Sequence, residues 1–403
     1  MNPTPAPNLE IRRCAVCDAQ DPTFLFRQTF EKVAGVSALD GYDVVTCGRC
    51  GFAYADGIPV QEVFDRYYRD ASKYEYDQRD GQESSYDSAR MEVIADVIVP
   101  LLPRRDVAII DIGCASGRLL YLLRQRGFPN VTGLDPSPGC AAAAERLYDV
   151  HVMQGDFAHL PAFDRAFEVA ILVGVLEHVR DLDTAMRQLS SLVAPGGIVY
   201  VEVPDVLEFW RWPNAPFQDF SIEHINFFSP RSLANLFARY GFSSVFTEQN
   251  SRQQAYRTVM SNVSAAFQKR AETPEPMLPD RDSKPALTRY IEQCTAEEES
   301  IRSQIDRLVA SRRSVVVWGV GTNATRLLTT TRLAEANIAY FVDSNSKYHG
   351  KSVGGHRVEP PDALRKGSEP VLVLSRVFQH EISEQVRALV GGDREILTLY
   401  RLD

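Results

Sequence analysis

The sequence predicts an α/β protein, two strand–turn–helix–strand units behind a small cysteine-bearing segment, and three stretches carry that expectation. Val107 to Leu120 is an apolar run that reaches Asp111, turns through Gly113-Cys-Ala-Ser-Gly117 and continues in a helical pattern. Ser314 to Leu328 repeats the plan, with Gly319-Val-Gly321 as its turn and a second strand, Ile338 to Asp343, again ending in an acid. Cys14-Ala-Val-Cys17 and Cys47-Gly-Arg-Cys50 form two Cys-x-x-Cys pairs.

In the first unit the run Val131 to Asp135 also ends in a carboxylate. Acids at the carboxyl ends of neighbouring strands lie where open α/β sheets bind their ligands. Gly113 and Gly117 let the backbone come close to a ligand, since neither carries a Cβ. Asp135 is placed to accept hydrogen bonds from a ribose diol. The turn has neither the Gly-x-Gly-x-x-Gly of dinucleotide enzymes nor the Lys-Ser/Thr of a P-loop. Gln154-Gly-Asp-Phe157 follows a third run, Val169 to Val179 reads as a fourth strand that includes Val173, and Leu192 to Val203 as a turn and fifth strand. In this order the segments resemble the class I S-adenosylmethionine (SAM) methyltransferases, with their Rossmann-like core. The resemblance implies a SAM site made of Asp111, Gly113, Ala115, Gly117, Asp135, Asp156, Phe157 and Val173. Ala115 stands where many members have glycine, and alanine is expected there only with a negative φ.

The two cysteine pairs can offer four thiolates to one tetrahedral Zn2+. The metal is expected to be structural, because Cys14, Cys17, Cys47 and Cys50 fill its coordination and leave no open position. Their long interval predicts an inserted hairpin. Disulfides are the weaker alternative in a cytosolic protein.

With 403 residues the chain has room for two or three domains with cores of their own, and 44% hydrophobic and 24% charged residues are ordinary for a globular protein. A formal net charge of -9 argues against nucleic acid as the main partner. No apolar run reaches the length of a membrane span and the opening residues are no secretory signal, so the expected location is the cytoplasm. The expected organisation is a zinc module at 10–56, a helical, aromatic-rich lead-in or lid at 57–105, the methyltransferase domain at 106–250, a polar and largely helical linker at 251–312, and a smaller Rossmann-like α/β domain at 313–403. The Gly319-Val-Gly321 turn of the last could hold a nucleotide diphosphate at the following helix terminus, or be a purely structural turn.

Cysteine pairs, SAM domain and terminal α/β unit together resemble the sugar C-methyltransferases that act on nucleotide-linked 4-keto-deoxysugars. Glu223-His-Ile-Asn-Phe-Phe-Ser229 is similar to the family's Glu-His-x-x-Tyr-Phe-Ser element, and Val342 to Lys351 to a run of its last domain. The resemblance implies a small-molecule substrate, His224 as the base that takes a proton beside the ketone, Glu223 as its orienting or polarising partner, and His178 and Tyr76 near the sugar. A base near neutral pH and stabilisation of the enolate are what a carbon acid needs. Two hydroxyls of the family are missing: Phe227 replaces the motif's tyrosine, and Phe220-Ser-Ile222 stands where another is common. The same residues also admit O-methylation of a sugar or other small metabolite. His224 could instead be a packed histidine at a domain seam.

Overall fold

The computed structural model describes residues 11–33, 37, 39–71, 83–157, 159–212, 214–270 and 276–400. The chain opens with β1 (Pro22–Thr29), β2 (Gly41–Cys47) and β3 (Ala53–Asp56), an antiparallel meander. The expected hairpin is β1–β2, and it separates the two cysteine pairs. Helices α1 (Gln61–Ala71) and α2 (Ser85–Ile98) follow, the second begun by Ser84, whose hydroxyl accepts the Asp87 N–H.

The central unit then winds through β4 (Ile109–Ile112), α3 (Arg118–Gln125), β5 (Val131–Asp135), α4 (Pro138–Tyr148), β6 (Val152–Gln154), β7 (Phe167–Val173), α5 (Leu182–Leu192) and β8 (Val193–Pro204). Its strands are apolar almost throughout, as strands covered by helices on both faces must be. After β9 (Asn226–Phe227) and α6 (Pro230–Arg239), a long hairpin of β10 (Phe242–Ala255) and β11 (Thr258–Lys269) returns to this sheet. The strand order is β10-β11-β8-β7-β4-β5-β6, parallel except for the hairpin. The order reverses at β4, so a crevice opens beyond the carboxyl ends of β4, β5 and β7. The two-residue β9 joins neither neighbour in sequence. It pairs with β3, completing a four-stranded sheet β1-β2-β3-β9.

The linker expectation needs correcting. Residues 251–255 and 258–269 are strand, joined by a turn, and helix begins only at α7 (Ser283–Ser311). Polar residues on β10 mark an edge strand, while β11 is buried because it lies between β10 and β8. The 250 boundary falls inside β10. From α7 the chain enters β12 (Val315–Trp318), α8 (Thr322–Thr330), β13 (Ile338–Val342), β14 (Ser352–Val353), β15 (His356–Glu359), β16 (Val371–Val373), α9 (Gln379–Val390) and β17 (Ile396–Thr398). The sheet order is β14-β15-β13-β12-β16-β17.

Buried side chains bind these parts together. Phe52 and Tyr54 of the cysteine segment share one core with Leu172, Leu176, Phe228 and Leu236. Arg326 of α8 pairs with Glu298 of α7 at 2.9 Å and donates to Gln28 of β1 at 3.1 Å, all three side chains buried. Among the described residues no helix is long and apolar enough to cross a membrane.

Candidate active site

A single cleft of about 930 Å3 is lined on one side by the carboxyl edge of the central sheet and on the other by that of the last sheet. Asp111, Gly113, Ala115, Asp135, Asp156, Phe157 and Val173 all face it. The Asp135 carboxylate accepts the Ala115 N–H and the Ser137 N–H, each at 2.9 Å, and so ties the glycine turn of β4 to the end of β5. Asp111 is buried, and one of its carboxylate oxygens has no hydrogen-bond partner. Burial, and then the Asp135 charge, push its carboxyl well above the usual range. A buried acceptor left open at the cleft wall is suited to a cationic donor such as the α-amino group of SAM.

Two expectations change here. Ala115 adopts φ +47°, not a negative angle: its N–H has to turn toward Asp135, and the left-handed conformation is the consequence. Gly117 does not reach the cleft. It starts α3 at φ +76°, and a Cβ on it would approach the Cβ of Ala144 to 3.2 Å, so the requirement for glycine is one of turn and packing.

The Glu223–His224 pair enters from the opposite edge. Ser221 Oγ accepts the N–H groups of both, at 3.2 and 3.0 Å. The next residues are clamped to the end of β7: the Ile225 N–H donates to Glu177 O at 2.8 Å, and the Asn226 amide donates to Leu176 O and Val179 O. These bonds bring Glu177, His178, Glu223 and His224 to one corner of the cleft. The imidazoles of His178 and His224 meet edge to face, 4.8 Å between ring centres. His178 Nδ1 lies 3.1 Å from Glu223 O. Its Nε2 is 3.8 Å from the Glu177 carboxylate. Tyr76 lies outside the described residues.

Several participants had escaped the sequence. Tyr67 OH donates to Glu223 Oε1 at 2.8 Å, and Tyr68 OH lies 2.9 Å from His178 Nδ1. Their only signal in the sequence is the aromatic spacing Phe64, Tyr67, Tyr68. Arg90 of α2, facing the cleft, reaches buried Glu202 at 3.1 Å, with Arg252 on the other carboxylate oxygen. Arg12 is buried, and its guanidinium donates to Ala55 O, Ile225 O, Asn226 Oδ1 and Arg180 O. Burial, and then Arg180, lower it to about 9, so it remains charged at neutral pH.

Cys14, Cys17, Cys47 and Cys50 come together with their sulfurs within 4.8 Å of one another. A tetrahedron of thiolates about 2.3 Å from zinc has edges of roughly 3.8 Å. The Cys14–Cys50 and Cys17–Cys47 pairs, at 3.4 and 3.5 Å, are near that spacing, so the four sulfurs fit such an ion. On the far wall of the cleft, Asp343 accepts the Val320 N–H at 2.8 Å and the Asn345 N–H at 2.7 Å, with Trp318, Gly319, Gly321, Ser344 and Phe378 around it.

Residues 86–245 match a family described as a methyltransferase domain, and residues 252–398 one described as the C-methyltransferase C-terminal domain. The chain is similar to the C-methyltransferase NovU of Streptomyces niveus, 25% identical over 388 residues that cover 92% of this chain and 88% of that one. A shorter similarity, 31% over 125 residues, covers 28% of this chain and 49% of the ubiquinone biosynthesis O-methyltransferase of Azorhizobium caulinodans. Among solved structures, magnesium protoporphyrin IX methyltransferase from Synechocystis PCC 6803 with bound SAH aligns with 52% of this chain and 99% of its own, at 16% identity and a TM-score of 0.40.

Proposed function

We propose that this SAM-dependent methyltransferase forms a carbon–carbon bond, placing the methyl group on the carbon beside the ketone (C3) of a nucleotide-linked 4-keto-deoxysugar. The observation that carries the reading is the shared cleft: His224, Glu223 and His178 open onto the same space as the carboxyl edges of β4 and β5. Similarity to a C-methyltransferase over nearly the whole chain, rather than over its central domain alone, supports carbon as the acceptor.

SAM, when bound, supplies a methyl group made electrophilic by its sulfonium. Asp135 would hold the ribose hydroxyls and Asp111 the amino group. Asp156 and Phe157 would meet the adenine, and Val173 the edge of the same site. His224 takes the proton from the carbon next to the carbonyl. Glu223, bonded to Tyr67, keeps the charge of the resulting imidazolium balanced. His178, held at Nδ1 by the Glu223 carbonyl and the Tyr68 hydroxyl, would present Nε2 to the substrate side of the corner. The last sheet would take the nucleotide, its diphosphate at the Gly319-Val-Gly321 turn and the amino end of α8. The four cysteines would hold a structural Zn2+, since all four positions are filled by protein sulfur. With such a substrate the enzyme would work in the cytoplasm.

Product analysis by NMR after incubation with SAM and a panel of nucleotide 4-keto-sugars tests the reading. A new methyl bonded to carbon supports it, and a methoxy signal moves the reaction to oxygen. His224→Ala is expected to lower kcat by about 10³-fold with SAM affinity within about twofold. Retained turnover would remove His224 from the role of base.

A further inference from the structure

We propose that the consecutive tyrosines Tyr67 and Tyr68 are positioning residues for the proton transfer, one helix fixing Glu223 and His178 together. The inference rests on the reading of the acid–base corner given above. Adjacent residues on a helix diverge by about 100°, so two neighbouring phenols cannot serve the same partner. Here they serve two. Tyr67 is 8% exposed and donates to Glu223 Oε1 at 2.8 Å, while Tyr68 faces the cleft and reaches His178 Nδ1 at 2.9 Å. The two rings meet edge on at 5.2 Å and 77°, so each limits the movement of the other. The Tyr68 ring also stands edge on to His178, 5.7 Å away.

The chemistry of each contact is defined. Burial, and then the Glu223 charge, push the Tyr67 phenol well above its usual value, so it stays protonated and donates. At His178 the Glu223 carbonyl and the Tyr68 oxygen both lie on Nδ1, at 3.1 and 2.9 Å. Rotation of the imidazole would break both contacts. The ring then holds its edge-to-face contact with His224. Helix α1 is itself fastened to the segment beyond His178: Gln61 Oε1 accepts the Asp181 N–H at 2.8 Å, and Pro59 O accepts from Arg180 Nε at 3.1 Å. The motif side of the corner carries Phe220 and Phe227, both buried and without hydroxyls. The phenols of this corner come instead from α1.

Tyr67→Phe and Tyr68→Phe keep the ring packing and remove only the hydroxyls. Tyr240→Phe is the control, because Tyr240 OH also bonds a carboxylate, Asp183 at 2.5 Å, but away from the cleft. The first arm needs no sugar: protein labelled with 15N-histidine and saturated with S-adenosylhomocysteine, its His178 signals assigned with His178→Asn. Tyr68→Phe is expected to move the His178 ring-nitrogen resonances, and Tyr240→Phe to leave them in place. The second arm uses a nucleoside-diphosphate 4-keto-6-deoxyglucose as probe. There kcat should fall about tenfold in each of Tyr67→Phe and Tyr68→Phe, with KM for SAM within about twofold. Unmoved His178 resonances in Tyr68→Phe, or wild-type kcat in both variants, would overturn the proposal. No turnover of the sugar by wild-type protein defeats the substrate reading instead, and the resonances alone then decide the role of the tyrosines.

Discussion

The central and last α/β units use the same latch and differ in what they hold open. In each, the acid that ends the second strand accepts two backbone N–H groups, one from the glycine turn and one from the residue two positions further on: Ala115 and Ser137 for Asp135, Val320 and Asn345 for Asp343. The latch is a property of the scaffold. Two residues before the turn glycine, however, the central unit has Asp111, buried with an open oxygen, and the last unit has Val317, buried and apolar. Only the central unit has a carboxyl group at that point. A glycine turn and a terminal acid thus identify the architecture, and the residue inside the first strand decides which ligand suits it.

The largest expected effect breaks the symmetry of the two latches. Asp135→Ala should weaken SAM binding by about 100-fold in calorimetry, the loss of charge-assisted bonds to ligand and loop. Asp343→Ala should leave SAM affinity within about twofold. Equal losses would mean that the units do not divide their ligands. A smaller effect lies where the units face each other, at Asp219 on the cleft wall. Burial pushes its carboxyl up from 3.8 to about 6. The folded state therefore binds this proton more tightly than the unfolded chain does. The stability it contributes is complete below pH 3.8 and is lost as the pH rises through about 6. Asp219→Asn should be more stable than wild type at pH 7.5 by about 3 kcal/mol, and the gap should close toward pH 3.8 in denaturant titrations. A gap independent of pH would mean that this carboxyl does not titrate differently on folding.

The smallest effect sharpens the comparison of the turns. Ala115 donates its latch bond from φ +47°, whereas Val320 is not among the residues of positive φ. Ala115→Gly should relieve left-handed strain and raise stability by about 1 kcal/mol in thermal or urea melts. A loss of stability would show that the alanine methyl packs usefully in that conformation.

Much of this arrangement is local in the chain, and that part could be read from it. Asp111, Gly113 and Asp135 announce themselves because an acid after an apolar run and a glycine after the acid are short-range patterns. The cysteine pairs are equally compact. What escaped depends on partners far apart in sequence. Strand β9 is two residues long and finds β3 some 170 positions earlier, a pairing with no periodic trace. The edge strand β10 is polar enough to read as helix or loop. Tyr67 and Tyr68 lie in the aromatic-rich lead-in, but their hydroxyl partners lie 156 and 110 residues away. The angle at Ala115 was misjudged because residue identity alone does not show the acceptor that turns its N–H.

The pairing of β9 with β3 has a consequence for how such an enzyme can be recombined. Divisions drawn along the chain suggest that residues 10–56 form a detachable unit, yet the last strand of their sheet, Asn226–Phe227, is carried by the Glu223–Ser229 segment. Arg12 closes the same seam, with Ala55 on one side and Ile225 and Asn226 on the other. A chimera that swaps the cysteine segment for a relative's would leave its fourth strand behind and set a foreign edge beside Glu223 and His224. Donor segments would have to travel as a pair, the cysteines together with residues 221–229, and sequence change in one is bound to be answered in the other.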